Sequence, residues 1–115
     1  MKDSTVNNST ELIDVDLKLA LAIGWPRRKV RLTLGRVEVQ TDYGWSVFSC
    51  VDWNVIGPIA TRYTCFPNWF GTWYVSEPLM RVPVYGNTPQ MAMAKAVIEI
   101  VRRRAADPIP ARSKT

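Results

Sequence analysis

The chain has 115 residues, 47% of them hydrophobic and 22% charged, with a formal net charge of +5 and no histidine. That length builds one core and not two, and this balance of apolar and charged residues excludes the disordered class. Without histidine there is no Ser-His or Cys-His dyad, no imidazole base and no ordinary zinc site, while a pI of about 9.6 inclines the surface towards acidic partners.

The charge is uneven. Residues 1–16 set Lys2 against Asp3, Glu11, Asp14 and Asp16, so the basic excess belongs to the remainder of the chain. Cys50 and Cys65 are expected as free thiols in a cytoplasm, because MKDSTVNNST has no apolar stretch of a signal peptide. No run approaches the roughly 20 apolar residues of a membrane span, so no membrane partner is expected. The overlapping sequons at Asn7 and Asn8 are then chance matches.

Residues 1–9 are polar and aperiodic and are expected as a disordered arm ahead of a single domain over 10–106. A helix follows, capped at Thr10 or Asp14, with Leu12, Val15, Leu19, Ala22 and Ile23 at helical spacing. Gly24 and Trp25-Pro26 stop it. Val30, Leu32 and Leu34 are apolar on even positions and Val37 and Val39 on odd ones, so the phase slips at Gly35 and marks a bulge or a tight hairpin.

Thr41 to Gly44 reads as a turn, Trp45 to Val51 as a strand, and residues 52–60 as a connection with a short helical turn capped by Asp52 and ended by Gly57-Pro58. Thr61–Phe66 and Thr72–Ser76 read as two strands joined by a five-residue loop, Pro67 to Gly71. Leu79–Tyr85 is expected to add an edge strand, because Pro83 lacks a donor. Thr88 as N-cap and Pro89 at the first helical position open a last helix ending near Ala106, with Lys95, Glu99, Arg102 and Arg103 as its solvent stripe. Residues 107–115 form a flexible Pro-rich and basic tail.

The expected fold is therefore α+β: an antiparallel sheet of four to five short strands against two main helices, an α/β sandwich, with a helical turn near 52–60. Most tryptophans are expected inside it, since strand alternation puts Trp73 and Val75 on one face and Tyr74 on the other.

The sequence offers no phosphate-cradling glycine loop and no spaced carboxylate pair. Asp42, Asp52, Glu77 and Glu99 read as turn, cap and ion-pair residues, so neither enzyme, metal nor cofactor is expected. Trp69 and Phe70 form a candidate contact site, because a loop tip has no apolar stripe drawing rings inward. Arg27, Arg28, Lys29 and Arg31 form a second, a basic loop suited to phosphates.

"LALAIGW" at 19–25, "FSCVDWNVIGPI" at 48–59, the strand tryptophan Trp73 and "GNTPQMAMAKAVIEI" at 86–100 resemble the NinX-like small proteins of tailed phages and the related phage ABA-sandwich domains. Asp52, Trp53, Gly57, Pro58, Gly86, Thr88 and Pro89 carry that pattern, and each also has a structural reading as a cap or turn residue. The basic hairpin at 27–40 and the tail depart from it. The resemblance implies an α/β sandwich, a phage or prophage origin, expression inside a bacterium and no established catalytic residue. Three functional readings follow. The first is a non-catalytic phage accessory protein that binds a host or defence protein or a nucleotide signal. The second is nucleic-acid binding through the 27–31 loop. The third is a structural or assembly protein, such as a homo-oligomer paired through an edge strand.

Overall fold

The phase slip at Gly35 resolves into a two-residue hairpin. In the computed structural model, which describes residues 2–76 and 83–106, β1 (Val30–Thr33) pairs antiparallel with β2 (Arg36–Thr41), Thr33 opposite Arg36. Leu34 and Gly35 between them have φ of 51° and 73°, the doubly positive geometry of a type I′ turn, whose twist suits two right-twisted strands. The Thr41 hydroxyl shapes the next turn, accepting from the Tyr43 amide at 3.1 Å and donating to the Gly44 carbonyl at 2.9 Å. β3 (Gly44–Val47) then completes a three-stranded sheet in the order β1-β2-β3.

α1 (Lys2–Ala22) precedes this sheet and starts well before the expected caps at Thr10 or Asp14, taking in positions 2–9. Those positions hold neither proline nor glycine, and once the apolar turns of 12–23 have formed, each added residue gains one bond. Its end is the expected one. Gly24 has φ 110°, the Trp25 amide reaches the Ala20 carbonyl at 3.1 Å and the Gly24 amide the Leu21 carbonyl at 3.2 Å, the two bonds of a Schellman cap.

The largest departure from expectation follows β3. Residues 53–63 are not a short turn running into a strand but a helix, α2 (Trp53–Tyr63), capped by Asp52, whose side chain accepts the Asn54 amide at 2.9 Å. Pro58 lies inside it rather than ending it. The proline withholds a donor from the exposed Asn54 carbonyl, which is free to face water, while Ile56 and Ala60 are buried one turn apart on the inner face. α2 ends at Thr64, which takes a left-handed φ of 53°.

Consequently β4 is only Asn68–Trp69. It pairs with β5 (Trp73–Val75), and β5 with β6 (Val84–Gly86), in a second antiparallel sheet of order β4-β5-β6. β6 is the edge strand expected near Pro83, and residues 79–82 of the expected 79–85 segment lie outside the described residues, as do Glu77 and the tail at 107–115. Among the described residues there are thus two three-stranded sheets in place of a single sheet of four to five strands, and three α-helices in place of two with a turn. The class remains α+β.

α3 (Pro89–Ala106) opens as expected, with the Met91 amide on the Thr88 hydroxyl at 3.1 Å. It packs against α1, α2 and the second sheet, while the first sheet rests on α1. Gln90 Nε2 donates to the Val51 carbonyl at 3.2 Å and the Arg104 guanidinium lies 5.6 Å from the Tyr63 ring centre, so α2 and α3 run in the same direction. Lys95 leaves its expected place in the solvent stripe and bridges to Glu11 of α1 at 2.8 Å. No described helix is long and apolar enough to cross a membrane.

The core is built from Leu19, Val37, Cys50, Ile56, Cys65, Val75, Ala92, Ala94, Val97 and their neighbours. No indole belongs to it, which corrects the expectation that the tryptophans are mostly hidden. Trp25 and Trp73 pack against its margin, Trp45 is half-buried, and Trp53 and Trp69 are exposed. Phe48 is the aromatic ring buried in the core.

That closeness is greatest at Gly86. A Cβ there would stand 2.9 Å from the Ala92 Cα and the Met91 carbonyl carbon, and nearer still to the Ala92 nitrogen. These are backbone atoms of α3 that cannot step aside. Gly86→Ala is expected to destabilise the fold by about 3 kcal/mol, the upper part of the overpacking range. Urea unfolding reads this, and an unchanged midpoint would show that β6 does not rest on α3 as described.

Candidate functional site

The second sheet presents its aromatics at the β4 edge. Trp69 and Trp73 are direct cross-strand partners, and their rings lie 5.2 Å apart at 58°, a tilted pair. Trp73 and Val75 turn inward to α3, whereas Trp69, on the same face, overhangs the margin and is 60% exposed. The expected five-residue loop is shorter: Trp69 is a strand residue and only Phe70, Gly71 and Thr72 form the turn. The Phe70 amide donates to the Thr72 carbonyl at 3.0 Å, Gly71 has φ 75°, and the Phe70 ring stands 84% exposed. Phe66, just before β4, is exposed as well. On the opposite face Tyr74 and Tyr85 are cross-strand partners with ring centres 6.1 Å apart. Sequence reasoning missed this pair, because a β6 register at 84–86 is needed to align it.

The basic residues occupy the first sheet and its approach. Arg27, Arg28 and Lys29 form one 3₁₀ turn, closed by the Lys29 amide on the Pro26 carbonyl at 2.8 Å. None of the three has an ion-pair partner among the described residues. Arg31 differs. It is on β1, its guanidinium bonds Glu38 at 2.7 Å and lies 4.1 Å from the centre of the Trp45 ring. Arg36 holds the other Glu38 oxygen at 3.1 Å. The Arg31 hydrogen bond, assisted by Arg36, keeps Glu38 below the usual carboxylate range. Arg31 is therefore a clamp of the sheet's outer face and does not share the open setting of Arg27–Lys29. The cluster is legible only once β1 and β2 are paired, which sets Arg31 opposite Glu38. The basic and aromatic candidates thus sit on different sheets.

Of the residues of the phage-like pattern, Asp52 and Thr88 are helix caps, Pro89 is the first residue of α3, and Gly86 is the close contact described above. Trp53 is exposed on the first turn of α2, and Gly57 and Pro58 are within that helix. Asp42 lies exposed in the β2-β3 turn, and Glu99 binds Arg102 and Arg103 at 2.6 and 2.7 Å, which hold it below the usual range, Arg102 foremost. Among the described residues no cluster of three metal-ligating side chains occurs.

One acid escaped the sequence reading. Asp16 is on the buried face of α1, 5% exposed, and accepts the Cys50 amide at 2.8 Å; the Cys50 thiol bonds the same carboxylate. Burial raises the Asp16 pKa, the Cys50 bonds opposing it in part. Burial foremost, with the Asp16 charge beside it, pushes the Cys50 thiol far above its ordinary value. This ties α1 to the segment between β3 and α2. It leaves Cys50 a packed thiol and not a nucleophile. Cys50 and Cys65 form no disulfide.

Comparison with family models, with curated proteins and with solved structures finds no match.

An acid whose folded pKa is raised contributes most below its unfolded value and loses that contribution as pH climbs through the folded one. Asp16→Asn, which keeps a carbonyl for the Cys50 amide, should therefore gain stability relative to the parent as pH rises above 3.8. Urea midpoints of both proteins across a pH series measure the difference. A gap independent of pH would mean that Asp16 titrates as it does in the unfolded chain.

Proposed function

We propose that this chain is a non-catalytic accessory protein of a tailed phage or prophage, acting in the bacterial cytoplasm, that engages a host component through the aromatic edge of its second sheet. The component is a host or defence protein or a nucleotide signal. The observation that carries the reading is the exposure of Trp69 and Phe70 on a short, hydrogen-bonded hairpin. Rings held this way lose little conformational freedom on binding, and tryptophan is prominent among residues that dominate interfaces. The phage attribution rests on the segments at 48–59 and 86–100 that resemble the NinX-like proteins.

The paired change Trp69→Ser with Phe70→Ser removes both rings while leaving Trp73 and Val75 on α3. Affinity chromatography from bacterial lysate, with mass spectrometry of retained proteins and nucleotides, compares parent and variant. The parent should hold a component that the variant retains at least tenfold less, about 1.4 kcal/mol of binding. Identical retention by two equally folded proteins would remove the aromatic edge from the reading.

A second reading, nucleic-acid binding, is supported by the unpaired setting of Arg27, Arg28 and Lys29. Three phosphate contacts to a single strand give a log affinity against log salt slope of about −2. Arg31→Ala should leave that slope in place, whereas alanine at 27–29 should flatten it. Fluorescence anisotropy with a labelled oligonucleotide decides, and absence of binding at low salt eliminates this reading.

A further inference from the structure

β3 ends the first sheet, and β2 is the element it packs against. The Phe48 amide donates to the Val37 carbonyl at 2.9 Å. Antiparallel partners alternate between bonded and non-bonded pairs. Through the pairs Glu38–Val47, Val39–Ser46 and Gln40–Trp45, Val47 and Trp45 therefore fall on the non-bonded steps. Their amides and carbonyls point away from β2, along the open edge.

Sheet edges in folded proteins are blunted by charge, proline, bulges or shortness. β1 carries Arg31, the two-residue β4 follows Pro67, and the three-residue β6 follows Pro83. Gly44–Val47 is uncharged, free of proline and continuously paired to β2, and Val47 is 47% exposed.

We infer that the β3 edge is a self-association surface on which a second copy of this chain pairs antiparallel about a two-fold axis, joining two three-stranded sheets into one of six strands. Its register follows from two constraints. Opposed residues must lie on the same face, and their free backbone groups must meet. Trp45 opposite Val47 of the other copy satisfies both, gives two bonded pairs, and sets Ser46 opposite Ser46 on the axis. On the outer face each exposed Val47 then stands directly opposite Trp45 of the other copy, whose indole lies against Arg31 of its own sheet.

The strand is self-complementary, which an isologous contact requires. Charge does not oppose it. The nearest cations, Arg31 and Arg36, are both held by Glu38, and Arg31 lies on Trp45. Two bonded pairs make a small contact, so the association is reversible and concentration-dependent. This surface is on the first sheet and does not depend on the aromatic edge of the second.

Cysteine cross-linking tests the register. A non-bonded antiparallel pair has Cα atoms about 4.5 Å apart, within the roughly 4.4–6.8 Å of a disulfide. Under mild oxidation Ser46→Cys should form a covalent dimer at least tenfold faster than Gln40→Cys, another exposed position, on the central strand. Adding Val47→Lys to Ser46→Cys should abolish that advantage, with circular dichroism confirming the fold. Sedimentation of the unaltered chain should show its weight-average mass rising with concentration. Equal cross-linking of the two cysteine variants, or a mass fixed at the monomer up to millimolar concentration, overturns the inference. The cysteine comparison stands even if the lysine variant fails to fold.

Discussion

The structure depends on α3 being buried on several sides at once. Ala92, Met93, Ala94, Ala96, Val97 and Ile100 are all in the core, and successive residues 92–94 cannot share one helix face. A helix enclosed to this degree needs side chains short enough for its neighbours to approach from different directions. Alanine supplies that, and Gly86 extends the same economy of volume to β6. α1, α2 and the second sheet each occupy one side of this axis. The first sheet reaches it indirectly, through α1 and the bond from the Cys50 amide to Asp16.

A consequence follows for the surface. Because α2 occupies a side of α3 between β3 and β4 in chain order, the strands divide into two sheets, and each retains two edges. A single continuous sheet of six strands would have left two open edges in place of four. α3 also carries Ala92, Ala94 and Ala96 among its core residues, and the indoles lie at the margin of the core or outside it. Burial of an aromatic side chain contributes strongly to stability, yet here Trp53, Phe66, Trp69 and Phe70 remain in water.

What was legible in the sequence was what local physics decides. The alternation break at Gly35 narrowed that point to a bulge or a hairpin, Gly24 gave the end of α1, and Thr88-Pro89 gave the start of α3, because each depends on residues a few positions apart. Residues 53–66 misled for the opposite reason. Pro58 is a helix breaker and Thr61 to Phe66 is rich in strand-forming residues, but Val55, Ile56, Ile59, Ala60 and Tyr63 also lie at helical spacing, and packing on α3 selects that pattern. Misplacing this one helix was enough to merge two sheets into one. Of the candidate site, the aromatic pair 69–70 and the basic turn 27–29 were visible from composition. The Tyr74–Tyr85 pair and the Arg31–Glu38–Arg36 clamp required strand register, and Asp16 was concealed in a helix stripe that otherwise reads as apolar.

The same pairing information changes the meaning of the net charge. A chain at +5 suggests a broadly basic surface, but part of its positive charge is balanced locally, four acids engaging six cations. Glu38 engages Arg31 and Arg36, Glu99 engages Arg102 and Arg103, Glu11 engages Lys95 and Asp14 engages Lys18. Arg104 faces the Tyr63 ring, and Arg27, Arg28, Lys29 and Arg62 have no ion-pair or ring partner among the described side chains. Three of these four stand together on one 3₁₀ turn. Exposed pairs contribute little stability, and because Glu38 and Glu99 each face two arginines, one positive charge is left over at each of those clusters, against three on the turn. Screening over about 10 Å at ordinary salt then makes that turn a local electrostatic feature instead of a property of the whole surface.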